Sequence, residues 1–249
     1  MKKLLSIFVF VAFFLAYGCV GIPTHPAAGA TQGIISKYDA ETQKLIEECL
    51  QEKGFTYPDE CPTEVAAAKN DPSMCDKLSD SQYRRDSCYS KVGKVNQNLS
   101  VCDMVQNLDW RATCYKEVAV AKDDLSICDQ IQHYEKKDEC YKEIGIAQQN
   151  LSICNQISQS EKDYCYKRIG IAEQNESICA EIQSQYDRDG CYREVGVAKQ
   201  NIEICGKIQE QYEKDLCYLN IASATKNCSI CDAVRDEDLR ANCYGRCSD

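Results

Sequence analysis

Histidine is nearly absent from this chain: its 249 residues include two, His25 and His133. His25 lies in a stretch of prolines and glycines, and His133 has no counterpart at matching positions elsewhere. Imidazole acid–base chemistry and histidine-ligated metal centres thus have almost nothing to build on. Nucleophile elbows, phosphate loops and zinc-protease motifs are missing too. Carboxylates are plentiful, 39 Asp and Glu in all, but none stands apart by spacing as a paired acid and base. The expectation is a non-enzymatic protein with no catalytic residue, no cofactor and no resident metal.

Positive charge is also in short supply. Lys and Arg number 29, giving a formal net charge of −10. Nucleic-acid binding needs a basic footprint, and docking on anionic lipid needs a polybasic patch; neither is present. An acidic surface favours solubility and basic partners. The period-two alternation of strands is lacking as well, so the expected fold class is all-α.

What the chain has is cysteine, 19 residues of it, on a regular beat. The positions are Cys49, Cys61, Cys75, Cys88, Cys102, Cys114, Cys128, Cys140, Cys154, Cys165, Cys179, Cys191, Cys205, Cys217, Cys231 and Cys243, with steps of twelve then fourteen broken only by one thirteen and one eleven. The resulting period of about 26 residues signals stacked supersecondary units, here an α-solenoid of about eight helical hairpins.

Each unit reads as a short helix and a longer one. Ser126 followed by Asp129 resembles a capping box, repeated at Ser73/Asp76, Ser100/Asp103 and Ser229/Asp232. An aliphatic residue follows the first cysteine by three: Leu78, Val105, Ile131, Ile157, Ile182, Ile208, Val234. In the longer helix the second cysteine, the residue four later (Val92 to Ile221) and the residue seven later (Val95, Ala121, Ala147, Ala172, Ala198, Ala224) are expected to form one buried stripe. Gly93, Gly145, Gly170 and Gly196, with Ala119 and Ala222, recur five residues after that cysteine, and suggest that another backbone approaches closely there. The helix is expected to end near Asn98, Asp124, Asn150, Asn175, Asn201 and Asn227, with Asn tolerating a left-handed terminal residue.

In an antiparallel hairpin, facing residues sit symmetrically about the turn. Cys128 and Cys140 are each six residues from Tyr134, whereas the midpoint of Cys140 and Cys154 falls at Ala147, inside a helix. The predicted disulfides therefore cross the shorter interval: Cys49–Cys61, Cys75–Cys88, Cys102–Cys114, Cys128–Cys140, Cys154–Cys165, Cys179–Cys191, Cys205–Cys217 and Cys231–Cys243. Cys228 and Cys247 flank the last pair by three and four residues, one helical turn out on the same faces, and are predicted to bond to each other. These two with Cys231 and Cys243 offer the alternatives of a four-thiolate zinc site or a redox C-x-x-C. Zinc must explain why two of the four have relatives in units lacking a second pair; redox motifs normally open a helix in a strand-containing domain.

The N-terminus reads as an export signal: Lys2 and Lys3, an apolar run from Leu4 to Ala16 broken by Ser6, then Gly18-Cys19. The arrangement resembles a lipoprotein cleavage box, with Cys19 as the lipidated residue, although Ala16 and Tyr17 stand where Leu and a small residue are usual. Cleavage after Ala30 and an uncleaved anchor from Leu4 to Ile22 are the alternatives. Setting Cys19 aside leaves an even number of cysteines, all pairable in an oxidising compartment. The expected division is residues 1–18 signal peptide, 19–36 flexible tether, 37–74 N-terminal capping hairpin and 75–249 a seven-unit array. The expected location is the cell envelope, outside the cytoplasm.

Two further rows repeat in all seven units. A tyrosine follows the second cysteine: Tyr89, Tyr115, Tyr141, Tyr166, Tyr192, Tyr218, Tyr244. It is either an aromatic strip for a ligand or inter-unit packing with each hydroxyl bonded to a neighbouring turn. A basic residue precedes that cysteine by three: Arg85, Arg111, Lys137, Lys162, Arg188, Lys214, Arg240. Beside five of these lie Asp86, Asp138, Asp163, Asp189 and Asp215, which suggests ion pairs between adjacent units rather than an anion ladder. Asn98, Asn150, Asn175 and Asn227 head glycosylation sequons whose Asn and Ser are equally suited to ending one helix and starting the next.

The unit S-I-C-x-x-I…[RK]-D-x-C-Y-x-E-[IV]-G-[IV]-A is similar to that of cysteine-rich helical-repeat lipoproteins of archaeal and bacterial envelopes, across residues 49–247. The architecture also resembles disulfide-linked Sel1-like repeat proteins, a likeness of design only. The resemblance implies a helical solenoid that binds partners and transfers no residue role. The functional expectation is a membrane-tethered scaffold for a protein or peptide. A thiol-rich metal-binding protein and a structural cell-surface component are the alternatives.

Overall fold

The computed structural model describes residues 33, 35–53, 60–78 and 81–248. Cys19, the signal segment and all but the end of the expected tether lie outside these residues. The described chain is all-helical, with no strand among the described residues, and helices alternate short and long. In one unit the short helix is Leu125–Asp129 and the long one Tyr134–Ala147. Each long helix packs on the long helices of the units before and after it and on the short helices to either side. Contacts therefore run from neighbour to neighbour, as in a one-dimensional array.

Nine disulfides staple this array: the eight pairs Cys49–Cys61, Cys75–Cys88, Cys102–Cys114, Cys128–Cys140, Cys154–Cys165, Cys179–Cys191, Cys205–Cys217 and Cys231–Cys243, and the outer pair Cys228–Cys247. All join the two helices of one hairpin; none joins hairpins to each other. A unit this small has too little core to stand alone. Closing a loop of this size contributes about 3 kcal/mol in the chain-entropy model. So many disulfides belong to a chain that matures in an oxidising, extracytoplasmic compartment. Among the described residues no helix is long and apolar enough to cross a membrane.

The core is a column of sulfur and aliphatic side chains. Val105, Ile131, Ile182 and Ile208, three after the first cysteine, are buried, as are Val118, Ile144, Ile169 and Val195, four after the second. The expected third row is not part of it. Val95 is 54% exposed, and Ala121, Ala147, Ala172, Ala198 and Ala224 are exposed. The buried face is rotated toward the residues one and five after the cysteine, which leaves the seventh in the outer last turn. The residue just before the first cysteine fills the gap: Val101, Ile127, Ile153, Ile178 and Ile204 are all buried.

The recurrent glycine has a specific neighbour, and the nearest atom is sulfur rather than backbone. A Cβ on Gly93 would lie 2.8 Å from Cys114 Sγ and 2.9 Å from Cys102 Sγ. On Gly145, Gly170 and Gly196 it would lie 3.1–3.2 Å from a sulfur of the following unit. Each disulfide thus seats on the preceding long helix.

Helix ends also differ from expectation. The left-handed residue is Gln97, Asp123, Gln149, Gln174, Gln200 or Lys226, one before the Asn or Asp. The Asn98 N–H bonds to Gly93 O and the Gln97 N–H to Lys94 O, the paired bonds of a Schellman ending. Asn98 itself is extended and caps the next short helix, its side chain accepting from Ser100 N at 3.1 Å. Asp124, Asn150, Asn175, Asn201 and Asn227 do the same. The serines read as capping-box heads are therefore the residues being capped, since the capping side chain stands two residues earlier. That cap accounts for the Asn-x-Ser pattern at Asn98, Asn150, Asn175 and Asn227.

At the N-terminal end, the helices Ala40–Lys53 and Glu60–Lys69 form the first stapled pair. Ile35 and Tyr38 are buried against it, with Tyr38 Oη donating to Met74 O at 3.1 Å. At the other end, Cys228–Ala233 is a 3-10 helix beside Glu237–Ser248.

Candidate binding surface

Of the two rows of conserved spacing, the tyrosines after the second cysteine serve packing. Tyr89, Tyr141, Tyr166 and Tyr192 are buried. Where the residue after the first cysteine of the same unit can accept, the hydroxyl turns back to it; in the units of Tyr192 and Tyr218 that residue is Ala180 or Gly206. Tyr141 donates to Asp129 at 2.7 Å and Tyr166 to Asn155 at 2.9 Å; Tyr89, Tyr115 and Tyr244 donate to Asp76, Asp103 and Asp232. Burial, then the bonded carboxylate, pushes the phenols of Tyr115 and Tyr141 up to about 12, and that of Tyr89 further in the same direction.

Adjacent units are joined by ion pairs, but not through the predicted row. Lys116 reaches Glu143 at 2.7 Å, Lys142 reaches Glu161, Lys167 reaches Asp187 at 3.2 Å and Arg193 reaches Glu213. These bases stand two residues after the second cysteine. The bases three before it bond chiefly within their own unit: Arg111, Arg188 and Arg240 donate to the turn carbonyls of Val105, Ile182 and Val234, and Lys137 pairs with Asp129 at 3.0 Å, while Arg188 also reaches Gln209 Oε1 of the next unit at 3.5 Å.

The aspartates beside them do something else. Asp86 accepts the backbone N–H groups of Gln106 and Asn107, both at 2.9 Å. Asp163 grips Gln183 and Ser184, Asp189 grips Gln209 and Glu210, and Asp215 grips Arg235 and Asp236, at 2.8–3.1 Å. All four are buried. Asp138 makes one such bond, from Ser158 N at 3.0 Å. A carboxylate from one hairpin thus anchors the turn of the next.

The exposed aromatic row is one that sequence reasoning missed. Tyr83, Tyr134, Tyr186 and Tyr212 stand at the first or second position of their long helices, with Leu108 in the same place. All are exposed, Tyr134 at 72% and Tyr186 at 77%. They line the edge of the array formed by the hairpin turns. The ring of Tyr83 meets Trp110 edge-on at 4.8 Å, and Lys167 Nζ lies 5.4 Å from the ring centre of Tyr186. The signal lay five or six residues before the second cysteine in five of the seven units, those of Cys165 and Cys243 lacking it.

The four C-terminal sulfurs are consumed by Cys228–Cys247 and Cys231–Cys243. Among the described residues no group of three or more His, Cys, Asp or Glu side chains is arranged to hold a metal. Compared with family models, curated proteins and solved structures, the chain matches none.

Proposed function

We propose that the protein is a non-enzymatic scaffold of the cell envelope, tethered to the membrane through lipidated Cys19, that holds a protein or peptide partner along its hairpin-turn edge. The observation that carries this reading is the exposure of a large apolar residue, Tyr83, Leu108, Tyr134, Tyr186 or Tyr212, on five of the seven hairpin turns. Tyrosine gives large contact area with little side-chain entropy to lose, and exposed aromatics on one edge suit an interface. The net charge of −10 favours a basic partner. A stapled array keeps the row's spacing fixed, so little ordering remains to oppose association.

A photoreactive amino acid placed at Tyr186 of the full chain in its native host tests the idea. A discrete cross-linked partner is expected there and not from a probe at Gln149, at the opposite end of the hairpins. Equal capture from both positions, or none from Tyr186, would exclude this edge as the docking surface.

A further inference from the structure

The aspartate that anchors each following turn is missing at one internal place. Position 112 corresponds to Asp86, Asp138, Asp163, Asp189 and Asp215, and it holds alanine. The glutamine that supports the aspartate is replaced with it. Gln82, Gln159 and Gln211 donate to Asp86, Asp163 and Asp215 at 2.7–2.9 Å, whereas the matching residue four before Ala112 is Leu108.

Two consequences meet at this point. The backbone N–H groups that a carboxylate would hold, those of Gln132 and His133, have no acceptor among the described residues. A cavity of about 440 Å³ opens beside them, lined in part by Leu108, Arg111, Ala112, Ile131, Gln132 and His133. His133 Nδ1 is itself buried without a partner. The other ring nitrogen faces Asp109 at 3.4 Å.

We infer that this cavity is a binding site for a ligand carboxylate, seated on the Gln132 and His133 N–H groups where the chain's own aspartate sits in the other units. The chemistry is read from the molecule itself: four sister sites place two carboxylate oxygens on the same pair of N–H groups at 2.8–3.1 Å. The walls refine it. Leu108, Ala112 and Ile131 accept an apolar body next to the carboxylate. Asp103 and Asp109 outnumber Arg111 in the wall, so the attraction for one carboxylate must come from the two N–H groups and a second negative charge has nothing to hold it. The ligand is a monocarboxylate, either a free small acid or the C-terminus of a peptide. Leu108 belongs to this wall and to the exposed edge, but the seat is the Gln132 and His133 N–H pair, so their response to an acid is independent of partner capture at Tyr186.

Amide NMR of the oxidised, isotope-labelled protein tests it, with acetate, N-acetyl-leucine and N-acetyl-leucinamide as probes. Saturable shifts of the Gln132 and His133 amides are expected with both acids and not with the amide. A stronger response to N-acetyl-leucine than to acetate assigns a peptide terminus; an equal one assigns a free acid. Ala112→Asp restores the internal carboxylate and should abolish the response. Asp189→Ala removes it elsewhere and should make the Gln209 and Glu210 amides respond, so the idea remains testable if the first variant does not fold. No shift at Gln132 and His133 with either acid, the same shift with chloride or the amide, or an undiminished response in folded Ala112→Asp would overturn the assignment.

Discussion

Asp163 reaches out of its own hairpin and holds the next one by the backbone, its two oxygens accepting from Gln183 N at 3.1 Å and Ser184 N at 2.8 Å. The carboxylate is buried, and losing it removes two charge-assisted hydrogen bonds to the next turn. Asp163→Ala should cost about 1–3 kcal/mol. Because repeat arrays open locally, the loss should be read by hydrogen exchange, as faster exchange at Gln183 and Ser184 with the Cys49–Cys61 end unaffected.

Glycine positions should divide by what their missing Cβ would meet. At Gly93 it would strike two sulfurs, so Gly93→Ala should destabilise by about 1–3 kcal/mol. At Gly245, inside the last helix, nothing lies within 4 Å, and Gly245→Ala should stabilise by up to about 1 kcal/mol. Thermal melts of the two variants under oxidising conditions should move in opposite directions.

The staples are not equal in worth. Replacing Cys128 and Cys140 together by alanine leaves their hairpin without a cross-link and should cost about 3 kcal/mol, seen as exchange of the amides of Leu125–Asp129. Replacing Cys228 and Cys247 leaves Cys231–Cys243 in place and should cost less.

Alkaline pH should loosen the array at named places. Tyr141 and Tyr115 ionise at about 12 in the folded chain, above the ordinary tyrosine value of 10.0, because burial and a carboxylate partner oppose the phenolate. Their contribution is complete below about pH 10 and is lost as pH rises through about 12. Asp129→Asn should bring the Tyr141 titration down, measured by phenolate absorbance against the unsubstituted protein.

Mass spectrometry of the chain purified from its source should report nine disulfides as two added hydrogens each on reduction. The lipoprotein reading predicts an N-terminal peptide that begins at Cys19 and carries acyl chains. An unmodified chain beginning at Thr31 would show instead that a general signal peptidase acts after Ala30.

The cysteine beat made the fold and the staples legible, because a bond within a hairpin constrains spacing along the chain. Relationships between hairpins left weaker marks. The Asp86 and Arg85 rows suggest ion pairs between units when read along the chain; in space Asp86 grips the next turn while Arg85 sits three residues along a helix from Gln82, to which it donates at 2.9 Å. Gln97 carries no sign of its left-handed backbone, since a Schellman ending fixes the conformation and Asn98 drew attention one residue too far. Ala112 becomes informative only when compared with its counterparts, as the one internal regular unit without the anchoring carboxylate.

Closure of each bridge within a single hairpin has a consequence for biogenesis. As the polypeptide is threaded outward from its amino end, the first cysteine of each pair from Cys49 to Cys205 meets its proper mate as the very next one to emerge. Oxidation in order of arrival is correct oxidation. That simple rule fails once, at the tail, where Cys228 must wait past Cys231 and Cys243 for Cys247. The final hairpin is therefore the place where order of arrival alone would join the wrong sulfurs.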